Sequence, residues 1–466
     1  MVGGYLRDSL LTRTPQQDID IALVGDSLSA GRALARSLGG SFVPLSPEHG
    51  KARVVVTDSG AGPWQIDLGT FSGSIEEDLA RRDFTVNALA LPLAGWDSPV
   101  NGDEVIDPFN GRQDLFQKTI RAVGPDVFQD DPGRLLRAVR LATSLGFRLE
   151  PETTRLVLAG APQLDRVPRE RVRDEFLSIL AQDGAKGSLE VLDRLDLLCR
   201  IIPELAHTKG VEQPKVHYWD VWQHLLHTVE HAEKVTKGHQ HSPVYTLVYW
   251  TAETEAYFSR HAFDGHNGQT MLKLAALLHD IAKPQTKQKD ETGRTRFPGH
   301  SEMGAAMATD RLRELRLESG SIARVAKMVE HHLRPGHMMQ GVERPTRRAA
   351  YRYFRDLGDV AIDTLYLSQA DFLAAKGPEL NADDWAHHAR MIAHLLEEHF
   401  HPPEISANNP LVNGRELMDH FGLEPGPVIG AMLEIINEAK ATGEIATREE
   451  ALALADGSLR QQHEEQ

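Results

Sequence analysis

The chain has 466 residues, a net charge of −16, one cysteine (Cys199) and 22 histidines. Its length suggests roughly three domains at about 150 residues each. The single cysteine excludes a disulfide framework and a cysteine-rich zinc site, and the acidic balance argues against broad, non-specific nucleic-acid binding. No signal-peptide pattern opens the sequence, and no apolar run approaches the roughly 18 residues of a membrane span, so a cytoplasmic protein without a membrane partner is expected. Positive charge is nevertheless concentrated between Arg134 and Arg173, where nine arginines stand against four acidic residues. The partner surface, if the partner is RNA, is expected on that stretch.

Gly3-Gly4 and Arg7-Asp8 run into a strand carrying Asp18-Ile19-Asp20-Ile21. With period-two alternation, Ile19, Ile21 and Leu23 share one face, and Asp18 and Asp20 stand side by side on the other. The pair is either a solvated face or a site for a hard cation with oxygen ligands, and Mg²⁺ fits best. The diglycine allows a phosphate close to the backbone, and Arg7 adds a charge-assisted contact to it. A helix is expected over 27–38, closed by Gly39-Gly40, followed by strands over 53–57 and 65–68. Asp67 at the end of the second is either a third carboxylate for the metals or a turn residue before Gly69. Arg81 to Ala90, reading RRDFTVNALA, is dense in groups that bind phosphate and ribose; its alternative reading is a charged helix start.

Gly3-Gly4-x-x-Arg7-Asp8, Asp18-x-Asp20, RRDFTVNALA, Asp107 to Leu115 (DPFNGRQDL) and Asp130-Asp131-Pro132-x-Arg134-x-x-Arg137-Ala138-x-Arg140 follow one another along the first third of the chain. In this order they resemble the motifs of the class II tRNA nucleotidyltransferase and bacterial poly(A) polymerase family. The resemblance implies a nucleotidyltransferase head with Asp18 and Asp20 as catalytic metal ligands. It also implies nucleotide-binding roles for Gly3, Gly4, Arg7, Arg82, Asp83, Asn87, Asp131, Arg134, Arg137 and Arg140. The sequence departs from the family in two places. Family members carry a helix and a strand before the diglycine, so an upstream extension of the reading frame is expected, and Asp130-Asp131 replaces a glutamate-aspartate pair.

Asp131 reads as a helix N-cap with Pro132 as the first helical residue, and Leu135, Leu136, Val139, Ala142 and Leu145 recur at helical spacing. Asp131 and Arg134 then lie together near the helix start, as a plain salt bridge or as a base-reading pair. Arginine donates and ionised aspartate accepts. Cytosine and adenine present an amino donor beside a ring-nitrogen acceptor, which matches the pair, whereas uracil and guanine present the opposite polarity. From 123 to 205 the chain reads as wholly helical, with breaks at 182–184 and Pro203. Arg166, Arg169, Arg171 and Arg173 form either a solvated face or a phosphate contact, the second being the expectation in so acidic a chain.

Beyond about residue 206 histidine becomes frequent. His224, His279-Asp280, His300, His331-His332 and Asp371 are drawn from several helical stretches, and such ligands make a divalent-metal site of Mn, Fe, Zn, Ni, Co or Mg type. Their order resembles the HD phosphohydrolase superfamily. The resemblance implies His224, His279, Asp280 and Asp371 as core ligands, and His300 with His331 or His332 as an optional second set. Lys283 is a candidate phosphate contact or a solvated lysine. Residues 237–269 read as an insertion of unreadable function, the segment from about 402 resembles the tail of bacterial CCA-adding enzymes, and the last ten residues are expected to be disordered.

The fold class expected is α+β, a small sheet-and-helix head followed by helical segments. The boundaries are 1–122 for the nucleotidyltransferase head, 123–205 for the nucleotide-selecting and RNA-binding neck, 206–400 for the HD domain and 401–466 for the tail. The expected activity is template-independent addition of CCA to tRNA 3′ ends from CTP and ATP with Mg²⁺, alongside metal-dependent hydrolysis. The alternatives are poly(A), A-only or CC-only addition, or a phosphohydrolase whose head only binds RNA.

Overall fold

The computed structural model describes residues 1–11, 17–58, 62–93, 104–237, 242–342, 344–401 and 410–464. The chain divides into two compact units, Met1–Pro203 and Glu204–Gln466. No helix among the described residues is long and apolar enough to cross a membrane.

The first unit is built on a four-stranded sheet in the order β1-β4-β3-β2, with β1 at Asp18–Leu23, β2 at Ser41–Ser46, β3 at Lys51–Asp58 and β4 at Gly62–Thr70. β1 runs parallel to β4, and the other pairs are antiparallel. Alternation along β1 has the expected consequence: Ile21 and Leu23 pack with Val54, Leu68 and Ala35 under the helix Ser27–Leu38, and the aspartates take the other face. That helix begins where Asp26 accepts hydrogen bonds from the Leu28 and Ser29 N–H groups, and ends at Gly39 with φ 66°.

Three local features differ from the sequence reading. Gly4–Leu10 is a helix. β2 is an additional strand; it tolerates Pro44 because it lies at a sheet edge, beside a register shift between Pro44 and Ser46. The edge of β1, expected to be bare, is met by Val2, whose N–H donates to the Asp20 carbonyl at 2.9 Å.

The RRDFTVNALA segment is not a helix start. The helix Ile75–Ala80 ends just before it, and Thr85–Asn87 forms a buried 3₁₀ turn. The DPFNGRQDL segment supports that turn from below. Asp107 accepts hydrogen bonds from the N–H groups of Gly111 (2.7 Å) and Arg112 (3.0 Å). A Cβ on Gly111 would lie 2.2 Å from the Thr85 carbonyl oxygen, so only glycine permits this approach.

The neck helix Arg134–Leu145 buries Leu135, Leu136, Val139, Ala142 and Leu145 as its spacing requires. Its N-cap is Gly133 rather than Asp131, which instead accepts the Gly133 N–H at 3.0 Å and closes a tight turn over Pro132. The neck is not wholly helical either: Arg148–Leu149 pairs in parallel with Thr119–Ile120.

In the second unit the helices Val221–Val235, Ser319–His331 and Ala361–Lys376 pack around the apolar helix Gly268–Leu278, every residue of which is buried except Gln269, and His300–Glu314 packs against Ser319–His331. The expected insertion contributes the helix Ala252–Ser259 and a small hairpin; its residues 238–241 lie outside the described residues. The tail has its own apolar core around Leu417, Met432, Ile436 and Ala455. Its last helix, Arg448–Glu464, runs through most of the segment expected to be disordered, where Leu459, Arg460, Gln461, Gln462 and Glu464 are good helix formers. Glutamates of the helix Pro427–Ala441 and its C-terminal turn meet arginines of Arg347–Leu357. Arg352 and Arg348 reach Glu438 at 2.8 and 2.9 Å, Arg355 reaches Glu434 at 3.0 Å, and Arg348 reaches Glu444 at 2.8 Å.

Candidate active sites in the two units

A cavity of about 820 Å³ opens in the first unit, and all ten proposed nucleotide-binding residues and both aspartates of β1 line it. Its floor is the Gly3 turn and β1. Gly3 has φ 79°, and a Cβ there would stand 2.5 Å from Asp20 Oδ2, so the turn presses the backbone against the carboxylate in a way no other residue allows. Substituting Ala for Gly3 is expected to leave the fold intact and lower turnover by about a hundredfold, because Asp20 is displaced by a fraction of an ångström to an ångström. Steady-state kinetics beside a thermal melt checks this; unchanged turnover would remove Gly3 from the site.

Burial pushes the Asp18 carboxyl above its usual range, and Asp67 adds to the effect. Asp20 is raised as well, by burial first and by Asp18 and Asp67, against the pull of Arg82 and Arg137. Two carboxylates held in their charged form against both burial and each other are a donor set suited to a hard divalent cation. Asp67 lies opposite Asp20 in the sheet, but Arg53 grips it through two hydrogen bonds of 2.7 and 2.8 Å. It is therefore neither a simple turn residue nor a free third ligand.

One wall of the cavity is a continuous polar chain. Arg7 pairs with Asp8 at 2.8 Å and donates to Asn87 Oδ1 at 2.8 Å, Asn87 donates to Asp83 at 3.2 Å, and Asp83 meets Arg137 at 2.7 Å. Arg82 is held by Asp78 at 3.2 Å. On the neck side Asp131 pairs with Arg171 at 2.8 Å, and Arg140 with Glu175 at 2.6 Å. Arg134 donates to the carbonyl oxygens of Arg81 (2.8 Å) and Val127 (3.3 Å), so its hydrogen bonds are not to Asp131. Burial works against Asp131, yet the Arg171 guanidinium holds its carboxyl below the usual range, and it remains an acceptor. Of the arginine run, only Arg171 lines the cavity. Sequence reasoning did not single out Tyr5, Lys51, Asp78 or Glu175, which also line it. No local pattern marks them, because sheet pairing and helix packing bring them in.

In the second unit His224, His279, Asp280, His300, His332 and Asp371 converge, whereas His331 is half-buried outside the cluster. Asp280 is the centre. Its Oδ2 lies 3.1 Å from His279 Nε2 and 3.4 Å from His224 Nε2, and its Oδ1 lies 3.4 Å from His300 Nε2 and 3.7 Å from His332 Nε2. Asp371 Oδ1 is 3.0 Å from His224 Nε2. His279, His300 and His332 each direct Nδ1 at a backbone carbonyl three residues earlier (2.9, 2.7 and 2.6 Å), which turns Nε2 toward the cluster.

Asp280 Oδ1 and His300 Nε2 are buried without a hydrogen-bond partner. Burial alone would pull the His279 imidazole down, but Asp280 and Asp371 outweigh it and push it up to about 10. His332, by burial and then by His279, is pushed down to about 3 and stays neutral. An orphaned carboxylate oxygen and an orphaned imidazole nitrogen, with further imidazoles grouped around the same carboxylate, fit a divalent metal. Lys283 is not a solvated lysine: it lies 2.6 Å from Asp280 and donates to Gln213 at 2.6 Å. His217, missed in the sequence, stands edge-on to His224 with ring centres 5.2 Å apart.

A nucleotide-sized cleft over paired carboxylates and a buried histidine–aspartate cluster define a nucleotidyltransferase joined to an HD-type unit, and the comparisons agree. Residues 1–121 match the Poly A polymerase head domain, 146–208 the Probable RNA and SrmB-binding site of polymerase A, and 221–457 the HD domain. The chain is 34% identical to the A-adding tRNA nucleotidyltransferase of Deinococcus radiodurans, over 97% of this chain and 94% of that protein. It is 35% identical to the CC-adding tRNA nucleotidyltransferase of Thermus thermophilus, over 97% and 92%. The solved Thermotoga maritima CCA-adding enzyme complexed with tRNA-CCA has the same fold, with a TM-score of 0.60 at 22% identity over 98% of this chain and 90% of that one. The chain belongs to the tRNA nucleotidyltransferase family, as the order of its motifs implied.

Proposed function

We propose that the first unit completes the CCA end of tRNA from CTP and ATP with Mg²⁺. The observation that carries this reading is one cavity with Asp18 and Asp20 at its floor and Asp131 and Arg134 on its neck side, large enough for a nucleoside triphosphate. Mg²⁺ held by Asp18 and Asp20 supplies activation of the RNA 3′-hydroxyl and charge stabilisation for the leaving pyrophosphate. Arg7, Arg82 and Arg137 bind triphosphate oxygens, and Asp83 and Asn87 hold those cations and the ribose in place. Asp131 accepts from the amino group of C or A, and Arg134 donates to the ring nitrogen once a base replaces its carbonyl partners. The relatives' names divide this reaction into A addition and CC addition, so the extent of addition is the point to test. The protein is incubated with tRNA lacking its last three nucleotides, CTP, ATP and Mg²⁺, and the 3′ ends are sequenced. CCA ends support the proposal; ends stopping at CC, ends extended only on tRNA already carrying CC, or A tracts overturn it.

Asp131→Ala is expected to raise UTP incorporation relative to CTP by about ten- to a hundredfold, since one base-reading acceptor is worth about 1–3 kcal/mol. An unchanged preference in competition assays would place base selection elsewhere.

The second unit is proposed to be a metal-dependent phosphohydrolase acting on phosphate monoesters or 2′,3′-cyclic phosphates. Mn, Ni, Co, Fe, Zn or Mg held by His224, His279, Asp280 and Asp371, with His300 and His332 as a second set, supplies an acidified water and a polarised phosphoryl oxygen. Lys283 neutralises Asp280 and faces the cavity where the phosphate would bind.

A further inference from the structure

The cavity beside the histidine–aspartate cluster exceeds the needs of a terminal phosphate. Its volume is about 860 Å³, near the upper end of the roughly 300–1,000 Å³ of ligand pockets. One side is the cluster itself. The opposite side is the hairpin in which Thr295–Arg296 pairs with Gln288–Lys289. Asp290 stiffens this hairpin: one carboxylate oxygen accepts from the Thr292 hydroxyl (2.6 Å) and the Arg294 N–H (3.0 Å), and the other accepts from Arg296 Nε (2.9 Å).

Four cationic side chains line this cavity, and two of them are already committed, Lys283 to Asp280 and Arg296 to Asp290. Arg294 and Lys215 are exposed and have no carboxylate partner among the described residues. In a chain of net charge −16, two uncompensated cations facing one cavity are matched to an anion that the protein does not supply. Guanidinium presented from a rigid turn suits the two oxygens of a phosphodiester.

We infer that Arg294, aided by Lys215, forms the subsite for the phosphodiester preceding the reacting phosphate, so the second unit acts on the 3′ ends of RNA chains in preference to mononucleotides. This rests on the hydrolase reading of that unit. In the monoester reaction a water oxygen bonds to phosphorus and the bond from phosphorus to the ribose oxygen breaks. One water proton passes to the departing ribose oxygen and the other stays on the released phosphate, so water is the only co-reactant.

The test compares kcat/KM for a 3′-phosphorylated hexanucleotide and for 3′-AMP, with Mn²⁺, Ni²⁺, Co²⁺ or Mg²⁺ supplied. The full-length protein is expected to favour the hexanucleotide by roughly tenfold or more at low salt, and this ratio should shrink as salt rises. Arg294→Ala should bring the ratio close to one, and Arg294→Lys should restore part of it. A second readout needs no turnover: a hexanucleotide with 4-thiouridine next to its 3′-phosphorylated end is cross-linked to metal-free protein, and label is expected on the peptide containing Arg294. Hydrolysis of both substrates at a ratio indifferent to Arg294→Ala, or label confined to other peptides, overturns the subsite and leaves the hydrolase reading standing. Hydrolysis of neither substrate overturns both.

Discussion

Asn in place of Asp20 is expected to lower nucleotide addition by about a thousandfold or more, while the variant at pH 8 without Mg²⁺ melts no lower than the unmodified chain. Both halves of this expectation come from the same geometry. Burial, then Asp18 and Asp67, push the Asp20 carboxyl above its ordinary range, and Arg82 and Arg137 only partly oppose them. A carboxyl whose pKa is raised by folding contributes stability while it is protonated, and that contribution is lost as pH rises through the folded-state value. At pH 8 the charge on Asp20 is therefore a cost that Asn does not carry, and below about pH 4, where the unfolded carboxyl is also protonated, the difference vanishes. Added Mg²⁺ should stabilise the unmodified protein more than the variant. Single-turnover addition and paired melts at the two pH values test this; activity within tenfold of the original would end Asp20's catalytic assignment.

Removing the carboxylate of Asp280 is the other large effect. Asp280→Ala leaves His224, His279, His300, His332 and Lys283 around an empty centre. Loss of one partner from buried charges of this kind costs about 3–5 kcal/mol. Metal-dependent hydrolysis is expected to fall below detection and the second unit to melt at lower temperature. Nucleotide addition to an intact tRNA end should persist below that transition, because the first unit's carboxylates and arginines share no residue with the cluster. His300→Ala separates the two consequences, since it removes a ligand and leaves the central Asp280 carboxylate with its other partners: hydrolysis should drop at least about a hundredfold with a much smaller change in melting. Full loss of nucleotide addition in Asp280→Ala at a temperature where the protein is folded would refute the independence of the two sites.

The α+β class and the family were legible because their signals are local. Period two along Asp18–Leu23 places Ile21 and Leu23 in the core, and the helical spacing after Arg134 buries the residues it marks. What escaped depends on partners distant in sequence. Asp67 was open between a third carboxylate for the metals and a turn residue, and the pairing of the sheet puts Arg53 beside it. Asp131 was matched with Arg134, three residues on, but the neck fold delivers Arg171, forty residues away. The choice between His331 and His332 turns on the roughly 100° between successive residues at a helix end, where the ring with Nδ1 bonded to the Val329 carbonyl faces inward. DPFNGRQDL entered only as one of the ordered motifs, and its role shows in the fold: Asp114 accepts hydrogen bonds from the Thr85 hydroxyl and from Arg121, and so helps to hold the buried turn in place.

The contacts of the tail with the helix Arg347–Leu357 carry a consequence for how the protein responds to its solvent. Arg348, Arg352 and Arg355 meet glutamates that, apart from Glu438, are half or more exposed to water. Such ion pairs are screened once the Debye length shrinks from about 10 Å at 0.1 M to about 3 Å at 1 M salt. The apolar core inside the tail is not weakened in that way. Ionic strength thus acts as a selective solvent for this seam. Calorimetry of the full chain in 1 M NaCl should resolve the tail as a separate heat-absorption peak, where at 0.05 M it unfolds together with the body that holds it.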